Sequence, residues 1–391
     1  MTTLSAVTNT KHTIPPKTRI ASIDILRGFV MLLMLVDHVR ERFYYHQNVS
    51  DPMDIDTTST ELFFTRISAH FCAPVFVFLT GLSAWLYANP DNKPQRSAQS
   101  FLLKRGLFVI FIEVTLINFS WFGDYNALYL QVMWAIGLSM VTLSFVTKLP
   151  HWLIGCLGLT IVFGHNALAF IDFKPQEIGY TLWTILHDRG YIFVSDTFKV
   201  KASYPIIPWI GVILLGYFIA PIFSAATLAN DRKKTLLTTS VACIVSLLVL
   251  RGFNIYGETL PWILNDSWIT SIKSFINYTK YPPSLDFILF TLSLSLLALA
   301  ILEGINNKVT KVIESFGAAP MFFYIIHLYI LLITYRVLVT LFGPTKGDYW
   351  GLDNVWQVWA IAFMLAILLY WPTKIFSVFK QQTSLPWVKY L

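Results

Sequence analysis

The apolar run over 21–39 carries four ionisable residues, Asp24, Arg27, Asp37 and His38. Ionisable groups are costly in a membrane segment, and their presence there points to a function. At about 100° per residue, the steps from Arg27 to His38 return to nearly the same helix face, and Asp24 shares it. The rise between Arg27 and His38 is about 16 Å, roughly half the hydrocarbon thickness of a bilayer. One stripe therefore sets a guanidinium near one membrane surface and an imidazole towards the other. A guanidinium suits a phosphate. An imidazole suits the removal of a proton from an attacking hydroxyl or amine.

Further candidates follow along the chain. His38 opens the cluster Asp37-His38-Val39-Arg40-Glu41-Arg42, with His46 eight residues on and His70 at the head of the next apolar run. These three histidines can meet at one mouth of a bundle. A catalytic imidazole needs an orienting group, and Asp37 is poorly placed for that because adjacent helical residues point apart. Lys104 and Arg105 begin a helix that carries Glu113 at mid-span, where the carboxylate must face the interior or a wet cavity. The two cations form a natural phosphate clamp or, equally, a topological anchor. His327 is also intramembrane, with Tyr324 one helical step before it. Asp286 follows Tyr281-Pro282-Pro283-Ser284, and Arg336 lies late in its helix. No metal-ligand spacing, Walker motif, dinucleotide fingerprint or internal repeat is present.

The elements that position these residues follow from composition. Of 391 residues, 55% are hydrophobic and 13% charged, against about a quarter charged in soluble domains. This composition predicts an all-α polytopic membrane protein. The runs at 21–39, 70–88, 102–120, 127–147, 152–171, 206–225, 235–252, 284–303, 317–342 and 355–375 predict a bundle of about ten helices. Residues 1–19 read as a disordered polar lead with no cleavable signal peptide, and 20–391 as a single transmembrane domain. The net charge of +7 is scattered between apolar runs, which excludes a nucleic-acid surface. Cys72, Cys156 and Cys243 all lie in apolar runs, so neither a disulfide framework nor a zinc site is expected. With both termini cytoplasmic, inner segments hold about sixteen Lys and Arg and the longer outer segments about eleven, which favours that orientation. Arg27 then lies inside and His38 towards the outside. The non-helical bulk falls in outer loops near 40–69, 172–205 and 253–283.

The Arg27-to-His38 spacing resembles the signature of membrane acyltransferases that O-acylate sugars. The string Ser22-Ile23-Asp24-Ile25-Leu26-Arg27-Gly28 more closely resembles the heparan-α-glucosaminide N-acetyltransferase family and its bacterial relatives. So do His70-Phe71-Cys72-Ala73-Pro74-Val75-Phe76, Lys104-Arg105-Gly106-Leu107 with Glu113, and Trp134-Ala135-Ile136-Gly137. Later come Ile207-Pro208-Trp209-Ile210-Gly211, Tyr281-Pro282-Pro283-Ser284, and Pro320-Met321-Phe322-Phe323-Tyr324 with His327. The resemblance covers almost the whole chain after residue 20. It implies a bundle of ten or eleven helices that takes acetyl from cytoplasmic acetyl-CoA to a sugar amine or hydroxyl across the membrane. In the lysosomal enzyme the catalytic histidine lies shortly after the first helix and best matches His46, while a preceding asparagine matches His38. In the sugar O-acylase pattern His38 itself is the essential histidine. His38 ranks first because its spacing to Arg27 is intact.

The resulting expectation is an acetyl-CoA-dependent sugar N- or O-acetyltransferase without a metal, in a bacterial cytoplasmic membrane. Its catalytic set is His38, His46, Asp37 and His70. Its donor-binding set is Asp24, Arg27, Lys104, Arg105, Glu113 and His327. Partners are lipid, acyl-CoA and a glycan acceptor. The acceptor, direct transfer against an acyl-histidine, and the oligomeric state, with a homodimer one option, stay open. A transporter or flippase for a sugar or lipid-linked glycan would instead line a polar pathway with Glu113, His327 and Asp286. A scaffold without turnover leaves the buried charges unexplained.

Overall fold

The computed structural model describes residues 20–91, 93–385 and 387–390; the polar lead over 1–19 lies outside them. Helix α1 (Ala21–Phe43) is the axis. Its 23 residues include 16 buried ones, Asp24, Asp37, His38 and Arg40 among them, so it is enclosed on most sides. It packs against α2 (Thr60–Ser68), α3 (Cys72–Ala88), α12 (Leu285–Leu302), α13 (Lys308–Ala318), α14 (Pro320–Phe342) and α15 (Val355–Gln382). A second layer holds α4 (Ala98–Ile112), α6 (Val132–Val146), α7 (His151–Gly164), α9 (Ile207–Ile219) and α10 (Ala229–Gly252). Short helices α5 (Asn118–Phe122), α8 (Tyr180–Leu186) and α11 (Trp268–Ile276) complete the set.

Among the described residues, six helical stretches are long and apolar enough to cross a membrane: Thr60–Ala88, His151–Leu168, Ala229–Gly252, Leu285–Leu302, Pro320–Phe342 and Val355–Gln382. Val132–Val146 and Ile207–Phe223 are shorter apolar helices. Helix α1 is long enough, but its charges set it apart.

Local chemistry marks the boundaries. Ser59, Ser97 and Ser284 cap α2, α4 and α12, each accepting a hydrogen bond from a backbone N–H of the first turn. Asn307 with Thr310, and Asn354 with Gln357, form reciprocal capping boxes on α13 and α15. Pro320 opens α14, where its missing N–H costs nothing.

Among the described residues, three pairs of helices meet backbone to backbone at glycines. A Cβ on Gly28 would lie 1.9 Å from the Ile313 carbonyl oxygen, and one on Gly317 would lie 1.9 Å from that of Asp24. Helices α1 and α13 therefore cross backbone to backbone. Gly81 and Gly216 do the same for α3 and α9, and Gly106 with Gly137 for α4 and α6.

The structure corrects the all-α expectation: the fold is mostly helical with a small sheet. Strands β1 (Ala127–Leu130), β2 (Gly190–Val194) and β3 (Lys199–Ala202) pair in the order β1-β3-β2, β1 parallel and β2 antiparallel to β3. The run over 127–147 is thus a strand followed by a helix. The Asn118 side chain imposes this by accepting from the Tyr129 N–H at 2.7 Å and donating to its carbonyl at 3.0 Å.

The loops around 44–59 and 253–284 are bonded into one cap. The Asn277 amide pairs with both backbone groups of Met53 at 3.0 and 2.7 Å. Lys273 Nζ donates to the Ile55 and Thr58 carbonyls at 2.6 and 2.8 Å. The Asp51 carboxylate accepts from the Lys280 and Tyr281 N–H groups, the latter at 2.8 Å; burial pushes its pKa up.

Candidate active site

His38 sits three turns beyond Arg27 on α1 and is 8% exposed. Its Nδ1 lies 2.7 Å from Nε2 of His327, and Nδ1 of His327 lies 2.7 Å from the Phe323 carbonyl oxygen one turn back on α14. The carbonyl can only accept, so His327 Nδ1 carries the proton and donates. In a neutral ring its Nε2 is then an acceptor, so His38 Nδ1 must donate to it. That leaves Nε2 of His38 with an unprotonated lone pair. The arrangement has the logic of a base oriented by a second group, with an imidazole and a carbonyl where a carboxylate is more usual. The two rings stack at 5.0 Å between centroids. Trp121 and Tyr324 fix His38 edge-on at 5.0 and 5.7 Å. Arg42 holds Trp121 in turn: its guanidinium donates to the Ser120 and Trp121 carbonyls at 2.9 Å each and lies over the indole at 5.5 Å.

Asp37 points elsewhere, as adjacent residues on a helix must. Its carboxylate accepts from Arg40 Nε and Nη2 at 3.0 and 2.9 Å and from Arg66 Nη1 at 3.2 Å. Arg40 also reaches Glu41 at 3.1 Å. This buried ion-pair group anchors α2 to α1 beside His38. Lys280 is 3% exposed, lies over the Tyr281 ring at 5.3 Å, and is within electrostatic reach of Asp37, His38 and His70. His70 is 1% exposed against Phe287, with Nδ1 unpartnered among the described residues. His46 lies apart, packed on Tyr44 and against Gly351 in the loop between α14 and α15. Burial holds its pKa below the usual value. The histidine cluster expected from sequence therefore divides: the structure joins His38 to His327 and sets His46 apart, in the loop after α1.

A cavity of about 730 Å³ approaches His38 from the other end. Ile20, just before α1, and Asp24, Arg27 and Met31 on its successive turns line it, and Met31 stops two turns short of His38. Arg105, Arg232 and Lys380 line it from α4, α10 and α15. Met133, Ile136, Met140 and Met321 make its wall apolar, and Tyr324 carries the lining to the His38 ring. Arg27 is held rigidly: it donates to Asp24 at 2.7 Å, to Ser83 Oγ at 3.1 Å and to the Gly317 carbonyl at 3.3 Å. Arg105 lies over Phe101 at 5.7 Å. Lys104, one residue earlier, turns away and is exposed. Glu113 is fully buried, and its Oε1 accepts from the Gln131 N–H at 3.3 Å, immediately before α6. It stands at a π-helical turn, Glu113–Ile117, that breaks α4 from α5. Neither Lys104 nor Glu113 lines the cavity. Asp286 lines a separate cavity of about 190 Å³ with Arg251 and Glu258.

Sequence reasoning placed His327 with the donor and did not foresee its bond to His38. It also missed Trp121, Arg66, Lys280 and Arg232. Arg66, Lys280 and Arg232 read from sequence as loop or anchoring charges. Nothing local distinguishes such a charge from one folded inward.

No curated protein matches the chain. The family model of the heparan-alpha-glucosaminide N-acetyltransferase catalytic domain matches residues 19–256. That stretch takes in α1 with Arg27 and His38, the basic cavity residues Arg105 and Arg232, and the sheet. His327 and Tyr324, on α14, lie beyond it. The chain belongs to the heparan-alpha-glucosaminide N-acetyltransferase family, which makes it a membrane acetyltransferase in the general sense that the family implies.

Proposed function

We propose that the protein moves an acetyl group from cytoplasmic acetyl-CoA to an amine or hydroxyl of a sugar or glycan on the far side of the membrane. In this reading about ten helices cross the bilayer, both termini are cytoplasmic, and the membrane is a bacterial cytoplasmic one. The observation that carries the reading is the basic cavity whose lining ends on Tyr324, the ring that packs edge-on against His38 and His327. Its volume of about 730 Å³ lies within the roughly 300–1,000 Å³ usual for ligand sites. Arg27, Arg105, Arg232 and Lys380 suit the phosphates of CoA. The Met- and Ile-rich wall suits the uncharged pantetheine arm. The thioester then arrives beside Tyr324 and His38.

In the transfer, the acceptor nitrogen or oxygen forms a bond to the thioester carbon and the carbon–sulfur bond breaks. The acceptor proton goes to His38 Nε2 and from there to the departing thiolate. His327 stabilises the imidazolium through the bond at His38 Nδ1. The acceptor enters from the side of Asp37, Arg66, His70 and Lys280. A polar transport pathway through Glu113, His327 and Asp286 finds less support, because Asp286 belongs to a different cavity.

Calorimetry of the purified protein with CoA tests the donor half. Micromolar binding that weakens when Arg27 becomes Met supports the proposal; no binding at millimolar CoA overturns it.

A further inference from the structure

His38 serves as the proton acceptor, but the thioester oxygen still lacks a partner. Negative charge develops on that oxygen as the nucleophile adds, and a preorganised donor there lowers the barrier. Few of the donors around α1 and α14 are available for that oxygen. Arg27 is committed to Asp24, Ser83 and Gly317. Both nitrogens of His327 are used. Cys72 Sγ donates to the Val30 carbonyl at 3.8 Å. Trp121 Nε1 is sealed from solvent, and Trp121 does not line the cavity.

Tyr324 differs from all of these. It lines the cavity and is 1% exposed, and no side chain or backbone group among the described residues is recorded as bonded to its hydroxyl. Its ring is fixed from two sides, at 5.7 Å from His38 and 5.6 Å from His327. The hydroxyl thus belongs to a ring preset against the base, at the His38 end of the cavity lining.

We infer that Tyr324 is a further catalytic residue, whose hydroxyl donates to the carbonyl oxygen of the bound thioester and holds the oxyanion of the addition intermediate. The inference rests on the acyl-CoA reading of the cavity. As the acceptor bonds to carbon, the carbonyl π pair moves onto oxygen and is met by the Tyr324 O–H. As the carbonyl re-forms, the pair returns and the thiolate leaves. Tyr324 keeps its proton throughout.

The test is difference infrared spectroscopy of the purified protein with acetyl-CoA labelled with ¹³C at the carbonyl, in wild type and Tyr324→Phe. Phenylalanine keeps the ring and its contacts with both histidines. The thioester carbonyl stretch should lie at lower frequency in wild type than in Y324F, with acetyl-CoA affinity equal within about twofold. Acetyl transfer to glucosamine, used as probe acceptor, should fall about 10²-fold in kcat, the loss typical of removing one oxyanion donor. Binding with the same carbonyl frequency in both proteins overturns the assignment and leaves the donor reading standing. A matched fall in affinity and melting temperature, with kcat retained, gives Tyr324 a structural role and also overturns it. No acetyl-CoA binding by wild type overturns both readings.

Discussion

At the scale of single residues, spacing revealed Arg27 and His38 because both sit on one buried stripe of α1, where ionisable side chains stand out against the apolar background. His327 was visible as an intramembrane histidine, but its partner was not. The bond joins residues 289 positions apart, and no local pattern encodes that. Asp37 illustrates the reverse. It neighbours the histidine in sequence, yet the helical turn sends it to Arg40 and Arg66. Asp37→Asn should therefore act on stability. Breaking a buried ion pair leaves cations under-compensated, at a cost of about 3–5 kcal/mol. A large drop in melting temperature is expected, with near wild-type transfer by protein that remains folded. Lost transfer with unchanged melting would make Asp37 an orienting group for His38 after all.

Among the elements, most helices were legible as apolar runs, and the close crossings lie where glycine recurs. The sheet was not legible. A four-residue apolar stretch such as Ala127–Leu130 reads equally as strand or helix, and the decision rests on Asn118 and on pairing with Lys199–Ala202. The α1–α13 crossing can be tested directly. Gly317→Val would drive a side chain into the Asp24 carbonyl, which a Cβ alone already meets at 1.9 Å. Overpacking of this kind costs about 1–3 kcal/mol or more. CoA affinity should fall with it, since Arg27 also donates to the Gly317 carbonyl. A variant with wild-type melting and affinity would show that the helices can separate freely.

The loop over 343–354 gives a second test at this scale. Leu352 N–H donates to the Phe43 carbonyl at 2.8 Å, and Gly351 covers His46. Burial and Lys346 depress the pKa of His46, so the folded state favours its neutral form. Its contribution is present above the unfolded value of 6.5 and is lost as the pH falls through the lower folded value. His46→Gln should thus flatten the acid-side decline in melting temperature. An identical pH profile in the variant would remove His46 from that role.

For the whole molecule, composition and the Lys/Arg asymmetry suffice to propose a membrane bundle with both termini inside. The proposed cytoplasmic side of the cavity rests on the same asymmetry. Asp54 and Arg96 are both exposed and lie in loops assigned to opposite sides. Cysteines placed there, in a background without the native thiols, should be labelled in intact cells at position 54 and spared at position 96. Labelling at 96 from outside would invert the orientation and put the basic mouth on the wrong side for CoA. The role of His38 as the base just beyond the donor cavity is tested most directly by measuring acetyl transfer and CoA affinity together in His38→Ala and His46→Ala. A positioned base contributes about 10²–10⁴ in rate, so His38→Ala should lose at least about 10²-fold in transfer to glucosamine with CoA affinity unchanged, while His46→Ala stays active. Near wild-type transfer by His38→Ala, with His46→Ala inactive, would contradict the account.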